Sequence, residues 1–158
     1  MAVFAGAPMM ASERNIELHG KVVAAVNARE VPSDLLAPGF SMAHHTSAAT
    51  DHTYRGPQGW RDWMHDLLEE FSDDARYEVE ELVAADEDFV VANLRVAGRG
   101  VHSGDPLEFR WAEVTWFRDG KATRAVGYTS DNEALLATGR RRRAGRVRRI
   151  PGRHLHAA

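Results

Sequence analysis

A single carboxylate in an aromatic β-hairpin is the group in this chain best placed to do chemistry. An Asp-Gly pair at positions 119–120 separates two runs rich in Phe, Trp, Val and Thr. A two-residue turn of this kind requires a positive φ at both positions, so it fixes the register of the strands beside it. Counting back from the turn places Glu113 opposite Val126. It also places Trp111 opposite Tyr128. The pattern therefore predicts a sheet face on which one acid lies among rings.

Two interpretations of Glu113 stay open at the level of sequence. Burial among apolar side chains raises the pKa of a carboxyl group toward the working pH of an enzyme, which would make Glu113 a catalytic proton shuttle. Alternatively, it pairs with arginine. Arg124 is predicted opposite Thr115, diagonal to Glu113, and Arg95 shares that face if the turn at residues 102–106 keeps the register. An ion pair can also orient a catalytic carboxylate, so Arg95 is a catalytic candidate beside Glu113.

Several other side chains are candidates for a pocket. Those predicted to bind a ligand are Tyr54, Trp60, Trp63, Trp111, Arg124, Tyr128 and His45. Asp131 follows the last predicted strand, where it either caps a closing helical turn or lies at the pocket rim as a third catalytic candidate. A metal site is not predicted, because the adjacent His44 and His45 would point to opposite faces of a strand and no acid accompanies them at ligand spacing. No cofactor is predicted either.

The elements that must position these groups are helices followed by a meander. Ser12 begins a first predicted helix that ends before Pro32, and a short helical turn and a strand at residues 40–44 follow. Pro57 begins a longer helix that should reach about Asp73. Four strands and a closing turn at residues 131–138 come next. This order predicts an α+β fold in which a curved, cone-shaped sheet, antiparallel or mixed, wraps around the N-terminal helices and leaves a pocket.

The length and charge of the chain indicate one domain with a separate tail. The chain has 158 residues, 44% of them hydrophobic, and no cysteine, which suits one core without disulfides or thiolate chemistry. We expect a disordered leader at residues 1–11, a folded domain at 12–139 and a disordered arginine-rich tail at 140–158. Residues 140–153 hold eight arginines and no acid, whereas residues 1–139 carry a net charge of −11. Nucleic acid is not an expected partner unless through that tail, which is otherwise a solvated appendage.

Three motifs carry a resemblance to a known family. The segment YRGPQGWRDWM, the later GRGVHSG and the hairpin FRDGKATRAVGYTSDNEAL resemble, in this order, the SnoaL-like branch of the nuclear transport factor 2-like superfamily. The resemblance covers roughly residues 12–139. The resemblance implies a cone that takes a small hydrophobic molecule. The superfamily includes cyclases, isomerases, hydrolases and members without activity. Glu113 departs from the family pattern, because related sequences often carry Gln or His there.

The sequence also carries expectations about assembly and location. One face of the hairpin is small and apolar apart from one tryptophan; its residues are Ala112, Val114, Trp116, Thr123, Ala125 and Gly127. Such a face must be buried against helices or a second subunit, and members of the superfamily commonly pair through the outer side of the sheet. We therefore expect a homodimer. The chain has neither a long apolar run nor a basic leader, so we expect no membrane span and a cytoplasmic protein.

Overall fold

The computed structural model describes residues 9–45 and 52–139 and, for the backbone alone, residues 150–151. Its helices are α1 (Ala11–Asn27), α2 (Gly56–Leu68) and α3 (Asp131–Ala137), with a 3₁₀ turn at Ser33–Leu35. Its strands are β1 (Leu36–His45), β2 (Thr53–Arg55), β3 (Arg76–Ala85), β4 (Phe89–Arg99), β5 (Pro106–Arg118), β6 (Lys121–Tyr128) and β7 (Ile150–Pro151). Helices thus precede a meander, which confirms the predicted α+β class.

All strands join one mixed sheet in the order β2-β1-β6-β5-β4-β3-β7. Every neighbouring pair is antiparallel except β1 and β6, which run parallel. The parallel pair closes the long connection from the first strand to the last long one, and it brings the N-terminal half of the chain against the hairpin. No described helix combines the length and the apolar content that a bilayer crossing requires.

The predicted tail is at variance with the structure at two residues. Ile150 and Pro151 form β7 and pair with Leu82 and Glu81 of β3, although the sequence predicts this segment to lie outside the fold. The rest of the predicted tail and most of the predicted leader fall outside the described residues.

Helix α1 lies on the inner face of the sheet and is fastened to β3 by amide side chains. The Asn27 side chain accepts from the backbone N–H of Tyr77 (2.8 Å) and donates to its carbonyl (2.7 Å). Asn15 donates to the Asp86 carbonyl at 2.9 Å. These bonds satisfy backbone groups and fix the rotation of α1 about its axis. That rotation decides which side chains of α1 point toward the sheet.

Helix α2 begins as predicted but ends earlier. Pro57 occupies its first turn, where the missing N–H costs no hydrogen bond. The predicted end near Asp73 is wrong, because the helix stops at Leu68 and Phe71 then forms a β-bridge with Gly100. The helix buries Trp60 and Trp63 against the sheet.

The hairpin turn has the predicted geometry, but the register beyond it shifts by one residue. Asp119 and Gly120 both have positive φ, at 52° and 74°. Phe117 pairs with Ala122 as predicted, whereas Trp116 pairs with Arg124. Thr123 is therefore an extra residue in β6, a β-bulge. Because side chains alternate along a strand, this one residue moves every later β6 side chain to the opposite face.

The sheet separates two apolar cores. The larger core lies on the inner face under α1 and α2 and includes the buried rings of Phe40, Trp60, Trp63, Tyr77 and Trp111. The smaller lies on the outer face under α3 and includes Val83, Phe89, Val91, Ala112, Val114 and Ala134. The site must therefore be sought on the inner side, where the larger core surrounds the carboxyl group of Glu113.

Candidate functional site

Glu113 lies in the middle of β5 on the inner face of the sheet and is only 4% exposed. Its carboxyl group accepts hydrogen bonds from the Trp111 indole and the Thr115 hydroxyl, both at 3.3 Å. Burial raises the pKa of Glu113 to about 7, against the smaller lowering effect of those two donors. Within the described residues it forms no ion pair. The group is therefore a neutral acid or a carboxylate with similar ease near pH 7.

A small enclosed cavity adjoins this carboxyl group. Its volume is about 10 Å³, roughly what one water molecule needs. It is lined by His19, Val22, Val23, Val26, Phe40, Met42, Trp60, Trp63, Tyr77, Glu113, Thr115, Ala122 and Ala125. This space is mostly apolar, and side chains fill nearly all of it, so a pocket that takes a small molecule stays a prediction.

Two further polar groups line the cavity, and the sequence analysis did not select either. His19 of α1 is 3% exposed and Tyr77 of β3 is 4% exposed. Burial lowers the pKa of His19 to about 4, so its ring is neutral at pH 7. Burial, with the nearby Glu113 second, raises the pKa of Tyr77 well above its ordinary value. A signal for His19 exists in the sequence, because it shares a three- and four-residue spacing with Ile16, Val23 and Val26.

A second aromatic group lies beside the cavity. Trp63 donates from its indole nitrogen to Nε2 of His44 at 2.9 Å, so Nε2 carries no proton. The His44 ring also meets Trp111 edge-on, with 6.2 Å between centroids. Gly127 makes room for this ring, since a Cβ there would lie 2.4 Å from His44 Nδ1. The structure thus brings His44 inward as a neighbour of Trp111, whereas the sequence considered it for metal binding alone.

Both predicted arginine partners of Glu113 are wrong. Arg95 lies on the outer face of the sheet, where it pairs with Glu78 (2.5 Å) and Glu108 (2.8 Å). Arg124 lies on the outer face because of the bulge, and its guanidinium sits 4.8 Å from the ring centre of Trp116. Neither cation reaches the inner face, so the structural-pair interpretation of Glu113 fails for both.

Tyr128 and Asp131 are also placed away from the cavity. Tyr128 pairs with Ala112 rather than Trp111 and packs against the outer core. Asp131 begins α3, which covers that same face, and the residue that caps α3 is Ser130, whose hydroxyl accepts from the Glu133 N–H at 3.2 Å. The predictions that Asp131 caps the helix and that Tyr128 shares a face with Glu113 are therefore wrong.

The remaining predicted pocket residues divide between the cavity and its surroundings. Trp60 and Trp63 line it, and the Trp60 indole donates to the Glu30 carbonyl at 3.1 Å. Trp111 contacts Glu113, as described above. The Tyr54 hydroxyl instead donates to Asp66 at 2.5 Å. The side chain of His45 lies outside the described part of the structure.

Two other features of the described structure are a surface depression and a group of metal-binding side chain types on α2. A wider, open depression of about 580 Å³ lies at the turn end of the hairpin, and its lining includes Trp116, Phe117 and Arg118 but none of the predicted site residues. On α2, His65, Asp66 and Glu69 hold ligand atoms within 4.8 Å of one another, all of them exposed. The depression contains Asp86, which is half-buried, and the three α2 residues are exposed. Because Glu113 is only 4% exposed and is surrounded by rings, the inner cavity is the candidate site.

The motifs, the cone and the buried acid agree with a family match. Residues 21–125, more than half of the chain, match the model of the SnoaL-like domain. The chain belongs to the SnoaL-like domain family. The match confirms the predicted resemblance. The matched region of this SnoaL-like protein includes the last part of α1, all of α2 and the strand β5 that carries Glu113. No curated protein sequence matches the chain.

Solved structures with the same fold are similar in shape and distant in sequence. A protein from Jannaschia Sp. CCS1 that is described as a SnoaL-like polyketide cyclase has 17% identity and a TM-score of 0.63, over 85% of this chain and 95% of that one. AclR, described as a hydroxylase from Streptomyces galilaeus, has 20% identity and a TM-score of 0.59, over 81% and 86%. An isomerase from Bacillus subtilis has 18% and 0.59, over 83% and 96%. At these identities the SnoaL-like protein shares their fold.

Proposed function

We propose that this SnoaL-like protein binds a small, mostly apolar molecule inside the cone and transfers a proton through Glu113. The observation that carries the proposal is a carboxyl group held among rings, whose donors within the described part of the chain are the neutral groups of Trp111 and Thr115. An acid that is buried without a cation is costly to the fold. Its retention at the centre of the inner face is reasonable if the group serves the ligand.

The protonation equilibrium of Glu113 suits general acid–base chemistry. A group with a pKa of about 7 is populated in both forms at neutral pH, which is the condition under which proton transfer by a side chain is most efficient. The two donors contact separate oxygens of the carboxyl group and restrict its rotation. A fixed orientation toward the cavity lowers the cost of reaching the reactive geometry.

The relatives support a reaction class rather than a substrate. Proteins described as a polyketide cyclase and as an isomerase share this fold, and both reaction types move protons at carbon. We propose a reaction of cyclase, isomerase or hydrolase type, since the same carboxyl group could also activate water. The polarity of the cavity favours a substrate that is uncharged where it meets Glu113, because most of its lining is apolar.

A second candidate function is a non-catalytic binding or dimerisation module. A cavity of about 10 Å³ admits neither a substrate nor another ligand unless the helices or rings move, so its size favours a role in pairing over a role in catalysis. In this case Glu113 would be a hydrogen-bonding group for a ligand, or a relic without a role in chemistry.

Deuterium exchange at carbon distinguishes the two candidates. The probe is α-tetralone, a compact bicyclic ketone whose C–H beside the carbonyl can lose a proton to Glu113 and regain a deuteron from solvent. We expect the protein to accelerate this exchange in D₂O at neutral pD, as measured by proton NMR. Glu113→Gln should reduce the acceleration about 100-fold or more. Glu108→Gln is the matched control, since Glu108 is on the same strand but exposed on the outer face, and it should leave the rate unchanged.

The outcomes are separable. Binding of α-tetralone without accelerated exchange would favour the binding module, and exchange that survives Glu113→Gln would remove the proposed role of that residue.

We also propose a cytoplasmic homodimer. The apolar face that first suggested pairing is now assigned differently, because Ala112 and Val114 lie under α3 and Ala125 lies on the inner face. The support for a dimer is therefore the family resemblance.

A further inference from the structure

His19 and Tyr77 are polar residues that the fold removes almost completely from solvent, since both are less than 5% exposed. Within the described residues, neither the His19 ring nor the Tyr77 hydroxyl has a hydrogen bond. Buried polar side chains almost always have a partner, because an unmade hydrogen bond costs stability. Hydrophobic residues of similar size would fill the same positions at no such cost.

The backbone contacts of Tyr77 do not explain its hydroxyl. Its N–H and carbonyl both bond to the side chain of Asn27, so the main chain is satisfied. The ring packs edge-on against Trp63, with 6.1 Å between centroids, and at a tilt against Trp111 at 5.6 Å. A phenylalanine would make the same ring contacts, which leaves the hydroxyl without a structural purpose.

Both residues line the same cavity as Glu113. His19 comes from α1, Tyr77 from β3 and Glu113 from β5. The charge of Glu113 contributes to the raised pKa of Tyr77, so these two groups are near each other. The other lining residues carry no ionisable group, and only Thr115 and the tryptophans add side-chain nitrogen or oxygen atoms. Three elements that are distant in the sequence thus each bring one ionisable group to the same small, mostly apolar cavity.

We propose that His19 and Tyr77 form the binding site for one oxygen atom of the ligand, opposite Glu113. The Tyr77 hydroxyl and the N–H of the neutral His19 ring both donate to that oxygen, and Glu113 faces the atom beside it. The ligand class is a small uncharged molecule with a single carbonyl or hydroxyl group on an apolar skeleton. This inference rests on the proposed ligand-binding function and adds which part of the ligand is recognised.

A pair of probes with the same skeleton tests this site. α-Tetralone carries a carbonyl oxygen, and tetralin is the hydrocarbon without it. Quenching of tryptophan fluorescence gives both dissociation constants, because three of the tryptophans lie in or beside the cavity. We expect α-tetralone to bind about tenfold more tightly than tetralin, as one or two hydrogen bonds to a buried oxygen would give.

Two variants identify the donors. Tyr77→Phe and His19→Leu should each reduce the preference for the ketone to about threefold or less, while the affinity for tetralin stays the same. Retained tetralin binding also reports that each variant is folded. The unfolding midpoint in urea at pH 7 should be unchanged or higher in both, because neither polar group has a partner to lose. A structural role would lower that midpoint.

The possible results separate this inference from the proposed function. Equal binding of the two probes to the unaltered protein, or a preference that survives both variants, would overturn the oxygen site and leave the pocket standing. A lower unfolding midpoint with an unchanged preference would assign both residues to structure and overturn the inference as well. If neither probe binds, the cone does not take this class of molecule, and both proposals fail together.

Discussion

Glu113 and Glu108 are the same residue type on the same strand, five positions apart, and the two faces of the sheet give them opposite properties. Glu113 is buried on the inner face without a cation, and its pKa rises to about 7. Glu108 is exposed on the outer face, where hydrogen bonding with Arg95 is the main cause that lowers its pKa. Because they are an odd number of positions apart on the strand, their side chains lie on opposite faces of the sheet. The direction of the pKa shift of a glutamate on this strand is therefore determined by the face of the sheet on which it lies, and not by the residue type.

The outer face is organised as a ladder of alternating charges. Arg95 bridges Glu78 and Glu108 across three strands, and Arg110 bonds to Glu80 at 2.6 Å and also to Glu108. Each of these three acids therefore has a cation, and both arginines bond to two acids. Such exposed pairs contribute little to stability one by one and are screened by salt. The inner face holds the opposite arrangement, with one acid in an apolar core.

The largest expected effect concerns the pH dependence of stability. The folded pKa of Glu113 lies above its ordinary value, so folding favours the protonated form; its stabilising contribution is complete below about pH 4.5 and is lost as pH rises through about 7. At pH 8 the unaltered protein then carries a penalty on the order of 3 kcal/mol, at about 1.4 kcal/mol per pKa unit. Glu113→Gln should recover most of this free energy of unfolding at pH 8.

Urea unfolding at pH 5 and pH 8 measures that recovery. Glu108→Gln is the control on the outer face and should not stabilise the protein at pH 8, since its pKa shift has the opposite sign. If Glu113→Gln lost stability at pH 8, the carboxyl group would have an unseen cation, and the contrast between the faces would disappear.

His19 gives a second pH effect of opposite direction. Its folded pKa of about 4 lies below the ordinary value of 6.5, so its contribution is present above about pH 6.5 and is lost as pH falls through about 4. The slopes from His19 and Glu113 therefore oppose each other between about pH 4.5 and 6.5. His19→Leu should unmask a steady fall in stability across that window, measured as urea midpoints in half-unit steps. A flat profile for His19→Leu would mean that Glu113 does not titrate there.

Crowding the inner face should have the next largest effect. Gly127→Ala would place a Cβ 2.4 Å from Nδ1 of His44 and 3.2 Å from the Trp111 ring. Overpacking of this kind typically costs about 1–3 kcal/mol, and we expect a loss of that size in thermal or urea unfolding. Gly39→Ala is the matched control, because a Cβ there meets nothing within 4 Å. An equal effect of the two substitutions would mean that His44 moves aside freely.

The smallest effect is expected on the outer face. Arg95→Ala removes two ion pairs from the ladder, and Arg110 remains as a partner for Glu108. We expect a shift of the urea midpoint smaller than that of Gly127→Ala, and the shift should shrink in 1 M NaCl because the pairs are exposed. A large shift that is insensitive to salt would show that the ladder is not merely a solvated surface.

Light scattering at micromolar concentration tests the proposed dimer. A mass near 17.6 kDa, that of one chain, would contradict it.

Local sequence signals were sufficient for the order of most elements and for the family, but not for the end of α2 or for the short strand β2. The Asp-Gly pair at 119–120 predicted the turn with its two positive φ angles, because few other dipeptides adopt that backbone conformation. The alternation in β5 predicted that Trp111, Glu113 and Thr115 share a face, which is correct since no bulge interrupts that strand. The three ordered motifs predicted the SnoaL-like fold.

Only the tertiary structure decided which groups surround Glu113. The bulge at Thr123 removed Arg124 and Tyr128 from the inner face. Whether a strand forms a bulge depends on how its side chains pack on both faces of the sheet, and short-range sequence patterns do not predict that packing. The position of His19 depends on the rotation of α1 about its own axis. That rotation is fixed by the hydrogen bonds between the Asn27 side chain and the backbone of Tyr77. The sequence by itself determined a cone with one central acid. The contacts among distant elements decided that this acid has no cation among the described residues, and that a neutral histidine and a tyrosine line the same cavity.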